Sequence, residues 1–348
     1  MRHTLNRLRF LAILILLMHG SGIYYNTLSS ERVRWKLQIS TGGTEEPVKQ
    51  LIERVKTMSS GKIQLRFYKI NTLVPGLELH SAVGGGQLDA GFSVTAYFAR
   101  KIPAVIFFGG VPFGPRLVEH KAWMLYGGGQ QLKDRIYADN GLISLECGIE
   151  TAEVGGWFKK RYTRVADLKG IRMRTFGLGG DVLKKFGVTT TLLDPFDIVP
   201  AVKKGVIDAA EFGSPFWDHF LGFHKVFKYS YYPSWNQPYN VHELIINKQQ
   251  WEKLDETAKL IFRTSCDSSL VSWLVRLDSM QPDSMRQFEQ EGVEFLKWQE
   301  SELKKLRKAW HEVAEEESAK DPLFAEVYKS YKSFRDQYAI WGKRAYLK

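Results

Sequence analysis

The pattern Gly-x-(Leu/Ile)-Asp-Ala occurs twice, as Gly86-Gln-Leu-Asp-Ala90 and as Gly205-Val-Ile-Asp-Ala209, each time after a helix-like run and before an apolar strand. The glycine suits a left-handed helix cap, and the aspartate suits the turn into a strand. One copy is common in any α/β protein. Two copies in equivalent settings point to two similar α/β lobes. The 348 residues are enough for each lobe to bury its own core. A 44% hydrophobic content beside 25% charged residues excludes wholesale disorder.

Residues 35–39 read as a first strand, 46–58 as a helix with Val48, Leu51, Ile52 and Val55 on one face, and 63–67 as the next strand. From about residue 249 the chain reads as helical to its end, with breaks around Pro282 and at Asp321-Pro322. The expected lobes are residues 33–150 plus 241–280, and residues 151–240 plus 281–348, the latter carrying the C-terminal helices. Residues 1–32 read as a signal peptide or an N-terminal anchor. Arg2, Arg7 and Arg9 precede the apolar run Phe10-Leu-Ala-Ile-Leu-Ile-Leu-Leu-Met18, which is short for a bilayer. With neither an Ala-x-Ala site nor a lipobox cysteine, cleavage and retention both stay open. Either way the expected location is periplasmic.

The formal net charge is +11, but the positive residues are interleaved with Asp and Glu and form no basic run. Such a balance attracts small anions and argues against a nucleic-acid partner. Cys147 and Cys266 make neither a disulfide framework nor a metal-binding spacing, and read as two buried free thiols. No His-Glu-x-x-His or Gly-x-Ser-x-Gly occurs, and Gly177-Leu-Gly-Gly180 lacks the spacing of a dinucleotide loop, so no enzyme is expected.

In Leu168-Lys-Gly-Ile-Arg-Met-Arg174 an arginine ends a short strand just before the glycine-rich turn that opens a helix. Alternation puts Arg172 and Arg174 on one side and Ile171 and Met173 on the other. A guanidinium fork beside the N–H groups of a nascent helix is suited to a carboxylate.

The markers Leu73-Val-Pro75, Val111-Pro-Phe-Gly114, Tyr126-Gly-Gly-Gly-Gln130, Gly155-Gly-Trp-Phe158, Asp167 to Arg174, Gly177-Leu-Gly-Gly-Asp-Val182, Tyr231-Tyr-Pro-Ser-Trp235 and Glu243-Leu-Ile-Ile-Asn-Lys248 occur in order. With them the chain resembles the periplasmic solute-binding proteins of TRAP (tripartite ATP-independent periplasmic) transporters, in particular the group binding 2-oxo or 2-hydroxy monocarboxylates. That resemblance implies a two-lobed class II-like binding protein with a central cleft and a helical C-terminal extension. It implies an extracytoplasmic receptor that binds an acid such as pyruvate or lactate and delivers it to the membrane permease by lobe closure. The alternative is a diverged binding protein acting as a sensor or scaffold.

Carried over by position, the resemblance makes Arg174 the carboxylate-binding arginine and Tyr97 a cleft aromatic able to donate to substrate. It implies a cation, Ca2+ or Na+, that bridges substrate and protein through Glu153, Glu243 and the carbonyl of Phe212. In Gly148-Ile-Glu-Thr-Ala-Glu153 the family's asparagine is replaced by Ile149 and its glutamine by Glu153. Two facing carboxylates raise one pKa unless a cation intervenes, and a divalent hard cation compensates them better. The expectation is therefore a shift toward Ca2+ or loss of the ion. The stripe Leu323, Phe324, Val327, Tyr328, Tyr331, Phe334, Tyr338 and Trp341 resembles the extension used for helix-swapped dimers, and folding back onto its own subunit stays open.

Overall fold

The two copies of the repeated pattern build the same turn. In the computed structural model, which describes residues 32–175 and 177–345, Gly86 and Gly205 take φ of +79° and +70°. Both sit where a left-handed residue ends a helix, the conformation that glycine adopts without steric cost. The aspartates do the same work: Asp89 Oδ2 accepts the amide of Lys36 at 2.8 Å, and Asp208 Oδ2 that of Arg172 at 3.1 Å. Each carboxylate thereby pins the incoming strand to its parallel neighbour.

The elements, in chain order, are β1 (Val33–Ile39), α1 (Glu45–Met58), β2 (Ile63–Tyr68), α2 (Leu79–Gly84), β3 (Ala90–Val94), α3 (Thr95–Phe98), α4 (Leu117–Tyr126), α5 (Gly129–Asp139) and β4 (Leu142–Glu150). There follow β5 (Trp157–Phe158), β6 (Arg172–Arg174), α6 (Gly177–Lys184), β7 (Thr189–Thr191), α7 (Pro195–Lys203), β8 (Ala209–Ala210), α8 (Pro215–Phe220), β9 (Tyr229–Tyr232) and β10 (Asn240–Asn247). The chain continues with α9 (Lys248–Glu252), α10 (Glu256–Gln290), β11 (Glu294–Lys297), α11 (Glu300–Lys320) and α12 (Pro322–Ala345).

From Val33 onward the chain packs as one unit with two sheets, ordered β2-β1-β3-β10-β4 and β11-β9-β5-β8-β6-β7. In each sheet the strand after the repeated pattern lies between a parallel and an antiparallel neighbour. For β3 these are β1 and β10; for β8 they are β6 and β5. This repeated half-sheet is the expected two-lobed α/β architecture. Trp35, Leu37, Val48, Leu51, Phe92, Leu244 and Phe262 fill the space between the first sheet, α1 and α10. Trp157, Ile198, Phe223, Phe227 and Phe288 do the same beneath the second. The expected signal or anchor segment, residues 1–32, lies outside the described residues except for Arg32.

Three expectations are corrected. The helix α10 runs unbroken through Pro282. Its buried residues Phe262, Cys266, Leu270, Trp273, Leu277, Ser284 and Phe288 continue at helical spacing on both sides, so packing outweighs the roughly 3 kcal/mol cost of an interior proline. A strand, β11, interrupts the C-terminal run expected to be helical throughout, although the break at Asp321 falls where expected. Finally, Cys147 and Cys266 are not free thiols. They form a disulfide between β4 and α10, and both are buried.

Candidate functional site

Arg174 owes its position to β6, which pairs with β8 so that Arg174 stands opposite Ala210. The next two residues, Glu211 and Phe212, are what the arginine meets. Arg174 Nη1 donates to the Glu211 carbonyl oxygen at 2.5 Å and to Oε1 at 3.2 Å, and the guanidinium lies 5.1 Å from the Phe212 ring centroid. The side chain is 1% exposed and borders a cavity of about 30 Å³ between the two sheets. Thr41, Gly42, Tyr97, Glu150, Trp217, Asn240 and His242 line the same cavity. Tyr97, in the short helix α3 that directly follows β3, is buried and hydrogen-bonds Thr41. Burial raises its pKa and the facing Arg174 opposes that rise.

The cavity is large enough to hold water. Its walls close on one another: a Cβ on Gly43 would lie 2.3 Å from the Trp217 ring, and one on Gly42 2.9 Å from Phe196.

Around Arg174 gather four buried carboxyls: Glu150, Glu153, Glu211 and Asp218. Asp218 is well served, accepting from Trp157 Nε1 at 2.6 Å and from the Gly213 amide at 3.1 Å. Glu150 receives Ser214 Oγ at 3.3 Å and faces His242 Nε2 at 3.4 Å. Glu211 has Arg174 and, at 2.9 Å, Asn236 Nδ2. Glu153 receives Asn240 Nδ2 at 3.4 Å on Oε1 and shares a side-chain hydrogen bond with Glu211, while its buried Oε2 meets no further donor among the described residues. Burial pushes the Glu153 carboxyl well above the usual range, and Glu211, Glu150 and Asp218 push it further. Burial likewise raises Glu211, against the pull of Arg174. An under-served carboxylate oxygen among like charges fits a cation, and an all-oxygen donor set suits a hard one. Glu153 and Glu211 are the two carboxyls in direct contact within this group, and Phe212 directly follows Glu211.

Of the expected site residues, Arg174, Tyr97, Glu153 and Phe212 come together. Glu243 does not. Its carboxylate accepts from Tyr137 Oη at 2.8 Å and from Ser144 Oγ at 2.6 Å, pairs with His80 Nε2 at 2.9 Å and lies 3.3 Å from Lys133 Nζ. That network leaves it no capacity for an ion, and it shares its side of β10 with Ile245 rather than with His242, which lines the cavity. Glu211, directly before Phe212, is the carboxylate that meets Arg174 instead. Ile149 is buried among Tyr239, Val241 and Leu270, and the neighbouring Glu150 faces the cavity instead. Glu211 lies two residues beyond the second Gly-x-Ile-Asp-Ala, a position that does not by itself mark it as a site residue.

Two α/β sheets that close on a buried arginine and a cluster of carboxylates define a solute receptor. Residues 42–321 match the family described as Bacterial extracellular solute-binding protein, family 7, and the chain belongs to that family. It is similar, at 32% identity over 89% of this chain and 86% of the relative, to a monocarboxylate 2-oxoacid-binding periplasmic protein of Nostoc. Among solved structures it is similar to a TRAP transporter solute-binding protein of Bordetella bronchiseptica, a mixed-occupancy dimer with calcium and picolinate. That match has a TM-score of 0.86 at 31% identity and covers 90% of this chain and 94% of that one. A TRAP periplasmic solute-binding protein of Pseudoalteromonas atlantica with bound sodium and pyruvate matches with a TM-score of 0.85 at 29% identity, over 90% and 97% of the two chains. The protein is thus a TRAP-type solute receptor. Among the described residues no helix is long and apolar enough to cross a membrane.

Proposed function

We propose that this receptor binds a small 2-oxo or 2-hydroxy monocarboxylate, such as pyruvate or lactate, together with a cation, and presents it to TRAP membrane permease subunits when the cleft is closed. The observation that carries the reading is a buried Arg174, ion-paired to Glu211, beside a second buried carboxyl, Glu153, whose Oε2 meets no further donor among the described residues. Arg174 holds the ligand's carboxylate, since charge-assisted bonds in a dry site are the strongest available. Tyr97, on the facing wall, supplies a hydroxyl donor. Glu153, Glu211 and the Phe212 carbonyl hold the cation, which supplies neutralisation of the excess negative charge and a second anchor for ligand oxygens. With two carboxylates in the set, Ca2+ is favoured over Na+. Contacts made from both walls at once favour the closed population.

The disulfide between Cys147 and Cys266 supports an oxidising, periplasmic location reached through residues 1–32 as signal or anchor. Exposed Ile340 and Trp341 on α12 support a homodimer through the C-terminal helices. Chelator-stripped protein should be screened by thermal shift against small monocarboxylates with Ca2+, with Na+ and with neither. Stabilisation by a 2-oxo or 2-hydroxy acid, larger with Ca2+, is expected, and Glu153→Gln should move the preference toward Na+. No shift with any acid under any ion condition removes the reading.

A further inference from the structure

A second cluster of metal-ligating side chains stands apart from the cleft. His219 lies near the end of α8, and Gly222, with φ of +83°, turns the chain back so that His224 faces it. The two imidazoles stack with centroids 4.8 Å apart, and the edge of Phe288, fully buried, holds the His219 ring at 5.0 Å. Both rings aim a nitrogen at one carboxylate oxygen on the cap of α10. His219 Nε2 is 3.1 Å and His224 Nδ1 3.4 Å from Glu291 Oε2. The ligand atoms of the three residues all lie within 4.8 Å of one another. Tetrahedral zinc with bonds of about 2.0–2.1 Å separates its ligand atoms by roughly 3.3–3.4 Å. Two edges already have nearly that length, and the third, within 4.8 Å, closes when an imidazole reorients about its side-chain torsions to face the ion.

We infer that His219, His224 and Glu291 form a zinc-binding site joining α8 to the C-terminal end of α10. The donor chemistry separates it from the cleft. Two imidazoles and one carboxylate suit Zn2+, whereas the all-oxygen donor set proposed for the cleft suits Ca2+ or Na+. Lys225 is the neighbouring positive side chain that the ion must tolerate. Glu291 is 39% exposed, so a fourth position stays open to water. The consequence is mechanical. His219 lies two residues beyond Trp217, which lines the cleft, and a metal here fastens that wall to α10.

The inference does not depend on the carboxylate reading, and its test keeps them separate. Chelator-stripped full-length protein, first saturated with Ca2+, is titrated with Zn2+ by calorimetry. Zn2+ should bind with one equivalent attributable to the cluster, unaffected by Ca2+. His219→Ala, His224→Ala and Glu291→Gln should each weaken that equivalent at least tenfold. A His219→Ala/His224→Ala double variant that binds Zn2+ as the parent does overturns the proposal, as does displacement by Ca2+. Should a variant misfold by circular dichroism, Co2+ loading of the unmodified protein decides the matter. Tetrahedral ligand-field bands protected from diethylpyrocarbonate treatment support the site, and their absence refutes it.

Discussion

Arg174 is held in its binding orientation by the chain itself. The Glu211 carbonyl and carboxylate fix Nη1, and Phe212 stacks beneath the guanidinium, so little side-chain entropy remains to be lost on binding. Each charge-assisted bond contributes roughly 1.5–3 kcal/mol. Arg174→Ala should therefore weaken monocarboxylate binding at least tenfold by calorimetry. Arg174→Lys should also bind poorly, because the fork is lost. Affinity equal to the parent's in Arg174→Ala would remove the arginine from the site. This residue was legible because strand alternation and a following glycine turn depend only on near neighbours. Glu211 was not, since in Asp-Ala-Ala-Glu-Phe it reads as part of a strand running into the core. Glu243 was assigned by position from the family resemblance; alternation along β10 puts it on the side opposite the cavity-lining His242, where Lys133, His80, Tyr137 and Ser144 occupy it.

The same two strands carry a buried ionic network. Lys133 on α5 lies between Glu146 of β4 and Glu243 of β10, at 3.8 and 3.3 Å. Burial alone would raise the Glu243 pKa; Lys133 and the His80 hydrogen bond overcome it and hold the group at about 2, against an ordinary 4.5. Glu146 is held low as well, burial again being outweighed by Lys133 and His120. A carboxyl depressed in this way stabilises the fold above its unfolded pKa and loses that contribution as pH falls through the folded one. The stability difference between the parent and Glu243→Gln, from urea unfolding, should be largest near neutrality and shrink between about pH 4.5 and 2. A difference independent of pH would sink the assignment. The disulfide joins β4 to α10 across 119 positions of sequence. Reduction should lower the unfolding free energy by about 2–4 kcal/mol, and thiol titration of the unreduced, denatured chain should find none. Neither that pairing nor the passage of α10 through Pro282 was readable, because both follow from how α10 packs rather than from local propensity.

Closure brings Gly42 and Gly43, which follow β1, against Phe196 and Trp217 of the second sheet's helices. Gly43 has φ of +85° and no room for a Cβ beside Trp217, so a side chain there is penalised twice. In Gly43→Ala the ligand-induced fall in radius of gyration should disappear from solution scattering, and adding Trp217→Ala should partly restore it. Ligand-bound Gly43→Ala as compact as the parent would show that these contacts do not govern closing. The chain passes between the sheets after β4, after β9 and along α10. The first two passages are short extended segments; the third is a helix of 35 residues. It packs on β4 and α1 near its start and on α8 further along. Pro282 sits at the second of these stretches, beside Gln281, whose side chain holds the Phe216 amide at 3.0 Å. A proline leaves one helical carbonyl without its amide and loosens the rod at that point. The long helix therefore carries its interior proline where the second sheet takes hold of it, while its disulfide-anchored half stays with the first.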